Sequence, residues 1–195
     1  MDEMNNAAQM QSETPTPPHT DHQTPTKKAT KRTPLWQDIL LLLLKIAVVA
    51  TGAMVLLSYV FGITAAHDES MNPAVKDGDL VLFYRLDKDY VAQDAIVLSV
   101  NGQTQVRRVV ATAGDVVDIT PNGLSINGYL QQESGIYEQT LRYTDGVEFP
   151  VTVGEGQVFV LGDARTKATD SRIYGCVNVS DTLGKTFTLV RKRGI

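Results

Sequence analysis

The stretch TQVRRVVATAGDVVDI, Thr104–Ile119, reads as strand, turn, strand. Valine and threonine crowd both halves, and such residues suit a pleated, half-buried surface. Ala113-Gly114-Asp115 supplies the break between them. Just upstream, AIVLSV (Ala95–Val100) ends at Asn101-Gly102 and meets TQVRRVVAT, which is a hairpin signature. The same reading extends outward in both directions. LVLFYRL (Leu80–Leu86) follows the turn KDGD, and PNGLSING, YLQQ, VEFPVTV, GQVFVLGD and GKTFTLVRKR follow downstream. No segment after residue 64 sustains a 3.6-residue apolar period. The expectation is a mostly β domain of antiparallel strands, with longer loops at 132–146 and 163–173.

Ahead of that domain lies ILLLLLKIAVVATGAMVLLSYVFGI, Ile39–Ile63. At about 1.5 Å per residue it gives roughly 37 Å of helix, enough to cross a ~30 Å hydrocarbon core with some tilt. Trp36 and Tyr59 sit near its ends, as interfacial aromatics do. Its one charge, Lys45, is placed to snorkel toward the basic side. Lys27, Lys28, Lys31 and Arg32 precede the run, whereas His67, Asp68 and Glu69 follow it. The positive-inside rule then puts the N-terminus in the cytoplasm and residues 64–195 outside. The rival reading is a cleaved signal peptide. The run is longer than the usual 7–15-residue apolar core, which favours an uncleaved single-pass anchor. The expected organisation is a leader at 1–34, an anchor at 35–63 and an extracytoplasmic β-rich domain at 64–195.

The leader holds five of the eight prolines, seven threonines and almost no large apolar side chains, a composition that predicts disorder. The exported part carries 13 Lys+Arg against 17 Asp+Glu and has no basic patch, so nothing points to nucleic acid. Cys176 is the single cysteine, and no Cys/His cluster suggests a metal. No metal and no cofactor are expected.

Three constellations could carry chemistry. HDESMNPAVKDGDLV (His67–Val81) places Ser70 between the apolar run and the first strand, in the company of Met71 and Pro73. VRRVVATAGDVVDI supplies Arg107 and Arg108. VFVLGDARTKATDSRIYG (Val158–Gly175) carries Lys167 and also Asp163, Arg165, Asp170 and Arg172, four residues that suit an ion-paired loop because Arg–carboxylate pairs are directional. A lone serine in a turn is ordinarily inert, and either charged segment alone is more often structural than catalytic.

Taken together, in this order and behind an apolar anchor, these segments resemble the type I signal peptidase family, of the S26 serine peptidase type. The resemblance runs from about Leu35 to Val190. SMNP matches the S-M-x-P box that carries the family's nucleophile, which places that role on Ser70. VRRVV resembles the lysine box, and GDARTKATDSRIYG resembles the last box. The resemblance implies a membrane-tethered, β-rich serine endopeptidase that cuts signal peptides from exported preproteins after small residues. Met71 and Pro73 would border the substrate.

The family's general base is a lysine held neutral by burial. Aligned on that box, the base position holds Arg107. A guanidinium stays protonated in proteins. The serine that would orient the lysine is Ala168, and the last box's first asparagine is Ala164. Asp68 stands where many members carry a hydroxyl that helps the oxyanion, and a carboxylate aimed there would repel it. Lys167 and His67 are possible substitute bases, with exposed surface residues as the plainer reading; Lys76 belongs to an ordinary turn. Three readings follow. The first is an active signal peptidase on Ser70. The second is a non-catalytic module that binds an extended polypeptide along its strands and assists surface-protein or pilus assembly beside sortase machinery. The third, an autocleaving repressor, is disfavoured by the apolar run and the lack of a DNA-binding segment.

Overall fold

A computed structural model of the chain describes residues 34–191. The expectation for the leader falls on residues 1–33, outside that range. By backbone contacts the chain divides into two units, 1–43 and 44–195. Helix α1 runs over Leu35–Val60. It is one helix long and apolar enough to cross a membrane. The expected helix end at Ile63 is corrected: Phe61–Ala65 form strand β1. Phe61–Ile63 continue the apolar run, but they hydrogen-bond outward to a partner strand, Phe61 opposite Tyr84 and Ile63 opposite Leu82.

The remaining elements are β2 (Leu80–Tyr84), β3 (Ala95–Val100), β4 (Gln103–Thr112), β5 (Val116–Thr120), β6 (Gly123–Ile126), β7 (Tyr129–Leu130), β8 (Val151–Thr152), β9 (Gln157–Leu161), the short helix α2 (Ser171–Tyr174), β10 (Val177–Asn178), a 3-10 turn at Val179–Asp181, and β11 (Thr182–Val190). A seven-stranded sheet has the order β1-β2-β11-β3-β4-β9-β10, and a four-stranded sheet has β7-β6-β5-β8. Every strand pair is antiparallel. The Asn101-Gly102 turn joins β3 to β4 with both residues at positive φ, 51° and 75°. That twist matches the flanking strands, and asparagine and glycine tolerate it best. VEFPVTV yields only the two-residue β8, because Pro150 has no N–H to give a ladder.

Two cores matter for the site. Val110, Ala111, Val117, Ile119, Leu124, Val153, Phe159 and Leu161 pack the smaller sheet against β4 and β9. Ala66, Met71, Val75, Val81, Phe83, Val97 and Val106 form the second core. It ties the segment after β1 to β2, β3 and β4. Strand β4 is shared. It pairs with β3 from Gln103 to Arg108, and with β9 only from Arg108 to Thr112. A bulge between Val109 and Ala111 interrupts the pairing with β9. The edge of β4 from Gln103 to Arg107 that faces away from β3 is therefore left without a strand among the described residues.

Candidate active site

Ser70 lies in the helical turns that follow β1. Asn72 N–H donates to Glu69 O (3.1 Å) and Val75 N–H to Met71 O (2.9 Å). Met71 and Val75, one helical turn apart, point into the core and fix this turn. Ser70 itself is 4% exposed. Its carbonyl accepts from Ala164 N–H at 2.9 Å, which locks the serine box to the last box. Gly162 makes the approach possible. A Cβ there would lie 2.6 Å from Ser70 O and would collide with the Ala168 methyl.

The two carboxylate–arginine departures noted in the sequence meet each other. Arg107 is 1% exposed, and its Nη2 donates to Asp68 Oδ2 at 2.9 Å. Its Nε donates to Thr169 O (2.9 Å) and its Nη1 to Val106 O (2.6 Å). Asp68 is 42% exposed, and its Oδ1 accepts the backbone N–H of Ser70 at 3.2 Å. Asp68 thus comes paired with Arg107, and it also accepts the Ser70 N–H. Arg107 does not stand as a base, since its guanidinium is committed as donor on three sides. Among the described residues the Ser70 hydroxyl carries no hydrogen bond.

The substitute bases fare no better. Lys167 Nζ pairs with Glu69 at 2.5 Å, with both side chains more than half exposed. That hydrogen bond pushes the lysine up from its ordinary value, the wrong direction for a proton acceptor. His67 is exposed.

Arg108, Asp163, Arg165, Asp170 and Arg172 all take part in ion pairs, one of them with a partner outside these segments. Arg108 grips Asp163 through two bonds, Nε (2.7 Å) and Nη2 (2.6 Å), which hold the guanidinium above its ordinary range. Arg172 grips the fully buried Asp170 through Nε and Nη2 at 2.9 and 2.8 Å. Asp170 Oδ2 also accepts Gly162 N–H at 3.0 Å. Arg165 donates to Gly162 O (2.9 Å), but its carboxylate partner is Glu133, at 2.7 and 2.5 Å, with Thr140 beside it. Tyr143 stacks under the Arg172 guanidinium at 4.5 Å. The wall behind Ser70 is therefore held by two buried arginines. Sequence reading missed Glu133, Thr140 and Tyr143, which come from the loop about 30 residues upstream. It also missed Tyr174. Burial raises this phenol above its ordinary value, and its oxygen lies near Arg107 without a hydrogen bond of ordinary geometry.

Two concavities are lined by close chain neighbours of Ser70. A cleft of about 330 Å³ is lined by Asn72, Pro73, Tyr137, Glu138, Ala164 and Lys167 among others. A narrow pocket of about 10 Å³ is bounded by Ala66, Asp68, Met71, Val75, Gln105 and Val106 among others. It opens beside the free edge of β4. Pro73 lines the cleft and Met71 lines the narrow pocket.

The family model "Signal peptidase, peptidase S26" matches residues 36–190. The chain belongs to this family. It is 29% identical over 141 residues to signal peptidase I of Bacillus caldolyticus, covering 65% of this chain and 78% of that protein. It is 35% identical over 80 residues to a probable thylakoidal processing peptidase 2 of Arabidopsis thaliana, covering 41% of this chain. The chain spans only 21% of that relative's length. A crystal structure of a signal peptidase I from Enterococcus faecalis matches with 27% identity and a TM-score of 0.43, covering 51% of this chain and 97% of the other.

Proposed function

We propose that this S26 family member is a membrane-anchored serine endopeptidase that removes signal peptides from exported preproteins after small residues, with Ser70 as nucleophile. The carrying observation is Ser70 itself. It is buried and locked through its carbonyl to Ala164, and its chain neighbours line the cleft (Asn72) and the narrow pocket at an open strand edge (Met71). An extended peptide can add to the Gln103–Arg107 edge through its main chain and bring a carbonyl to Ser70. Ser70 Oγ then attacks that carbonyl carbon and gives up its proton, the C–N bond breaks as the new amino terminus leaves carrying a proton, and water hydrolyses the acyl-serine to free the carboxylate and restore the hydroxyl. Arg107 acts here as the clamp on Asp68. For the oxyanion to use the Ser70 N–H, Asp68 must let go of it. In this reading α1 holds the site at the bilayer, with the N-terminus cytoplasmic and the β-rich domain extracytoplasmic. The basic residues at 27–32 and the acidic ones at 68 and 69 support that orientation.

One observation favours a second reading. With the base position filled by Arg107 and the Ser70 N–H taken by Asp68, the domain keeps an edge for binding peptide but lacks an evident proton acceptor. It would then be a non-catalytic module that binds exported polypeptides, with pilus or sortase machinery as the finer proposal. Cleavage of a reporter preprotein by the full chain in detergent separates the two. Cleavage that vanishes in Ser70→Ala supports the peptidase. A silent native chain that still binds the uncut preprotein supports the module.

A further inference from the structure

We propose that Gln105 biases this site toward serine, over alanine, at the residue that supplies the carbonyl attacked by Ser70. The inference rests on the reading that an extended peptide lies along the open edge of β4. The narrow pocket beside Ser70 holds about 10 Å³, room for one water-sized group. A methyl or a hydroxyl fits; the two methyls of valine do not. Size alone therefore admits both alanine and serine, and the lining decides between them.

Ala66, Met71, Val75 and Val106 give the pocket apolar walls. Gln105 is on the lining, and its Oε1 is buried with no hydrogen-bond partner among the described residues. A buried acceptor left without a donor is costly. A serine side chain brings a hydroxyl donor of the right length to this wall, whereas an alanine methyl leaves the oxygen unsatisfied. Sites that hydrogen-bond a substrate hydroxyl discriminate against analogues lacking it for this reason. His67, Asp68 and Thr104 are the other polar residues on the lining, and of these Asp68, the charged acceptor, competes little for that hydroxyl. Its oxygens already accept from Arg107 and from Ser70 N–H. The expected preference for serine is about three- to tenfold, the worth of one net hydrogen bond.

The test is made on binding, so that it does not depend on turnover. The full chain carrying Ser70→Ala is held in detergent micelles. Two fluorescent peptides spanning a signal-peptide cleavage site are titrated against it, identical except for serine or alanine before the scissile bond. The serine peptide is expected to bind about three- to tenfold more tightly. Adding Gln105→Met, which keeps length and bulk, should bring the two affinities together. Gln105→Leu should do the same, and the methionine variant carries the test if the leucine variant does not fold. Equal affinities before Gln105 is changed would overturn the proposal, as would a preference that survives Gln105→Met. A failure of peptidase activity would appear only in the preprotein cleavage assay.

Discussion

Placing a lysine at 107 should not by itself rebuild a serine–lysine site. Arg107 Nη2 lies 2.9 Å from Asp68 Oδ2, so an ammonium placed there would meet the same carboxylate. An opposite charge within about 4–6 Å raises a lysine pKa by about 1–3 units, while burial lowers it by a similar amount. With Asp68 present the two effects cancel near the ordinary value of about 10.4. The neutral fraction at about pH 8 is then below 1%. Removing the carboxylate leaves burial alone. A fall to about 8.5 would make roughly a quarter of the lysine neutral, a gain of about 60-fold, or about 2.5 kcal/mol. Cleavage of a reporter preprotein is to be followed across about pH 6–10 for native, Arg107→Lys, Asp68→Ser and the double variant. Arg107→Lys should stay within about threefold of the native rate. The double variant should exceed Arg107→Lys by tens of fold, with a rising limb centred near pH 8.5. The reasoning fails if Arg107→Lys alone reaches the rate of the double variant, because Asp68 would then exert no hold on the cation.

Other substitutions probe the scaffold and the rejected bases. Lys167→Met should leave both cleavage rate and melting temperature unchanged within error, since its pair with Glu69 is exposed; loss of cleavage would restore it as a candidate base. Gly162→Ala should lower stability by about 1–3 kcal/mol in chemical denaturation and also weaken peptide binding, because the added methyl strikes Ser70 O and Ala168. Asp170→Asn strips the charge from a pair buried on both sides and should cost about 3 kcal/mol, seen as a melting temperature lower by roughly 10 °C.

Much of this was legible in the sequence because local signals were strong. The Asn101-Gly102 hairpin, the runs that became β3 and β4, and the box carrying Ser70 all rest on neighbours within a few residues. β1 was hidden because Phe61–Ile63 extend an apolar run, and hydrophobicity without period does not separate strand from helix. The Arg165–Glu133 pair was not readable, since 32 residues and a loop lie between its members. Asp68 and Arg107, 39 residues apart, were read as two separate defects. Only the fold brings them together, and their charges then cancel.

That pairing also bears on mutational paths. Losing Asp68 first strands a guanidinium that is 1% exposed without a counter-charge; changing Arg107 to a neutral residue first leaves the Asp68 carboxylate with only the Ser70 N–H and no counter-charge. Of the single steps toward a lysine-based site only Arg107→Lys keeps the charges paired, and it gains no neutral base while Asp68 remains. The two positions form a ratchet: once both charges are in place, the site is easier to keep than to undo, whatever chemistry Ser70 performs.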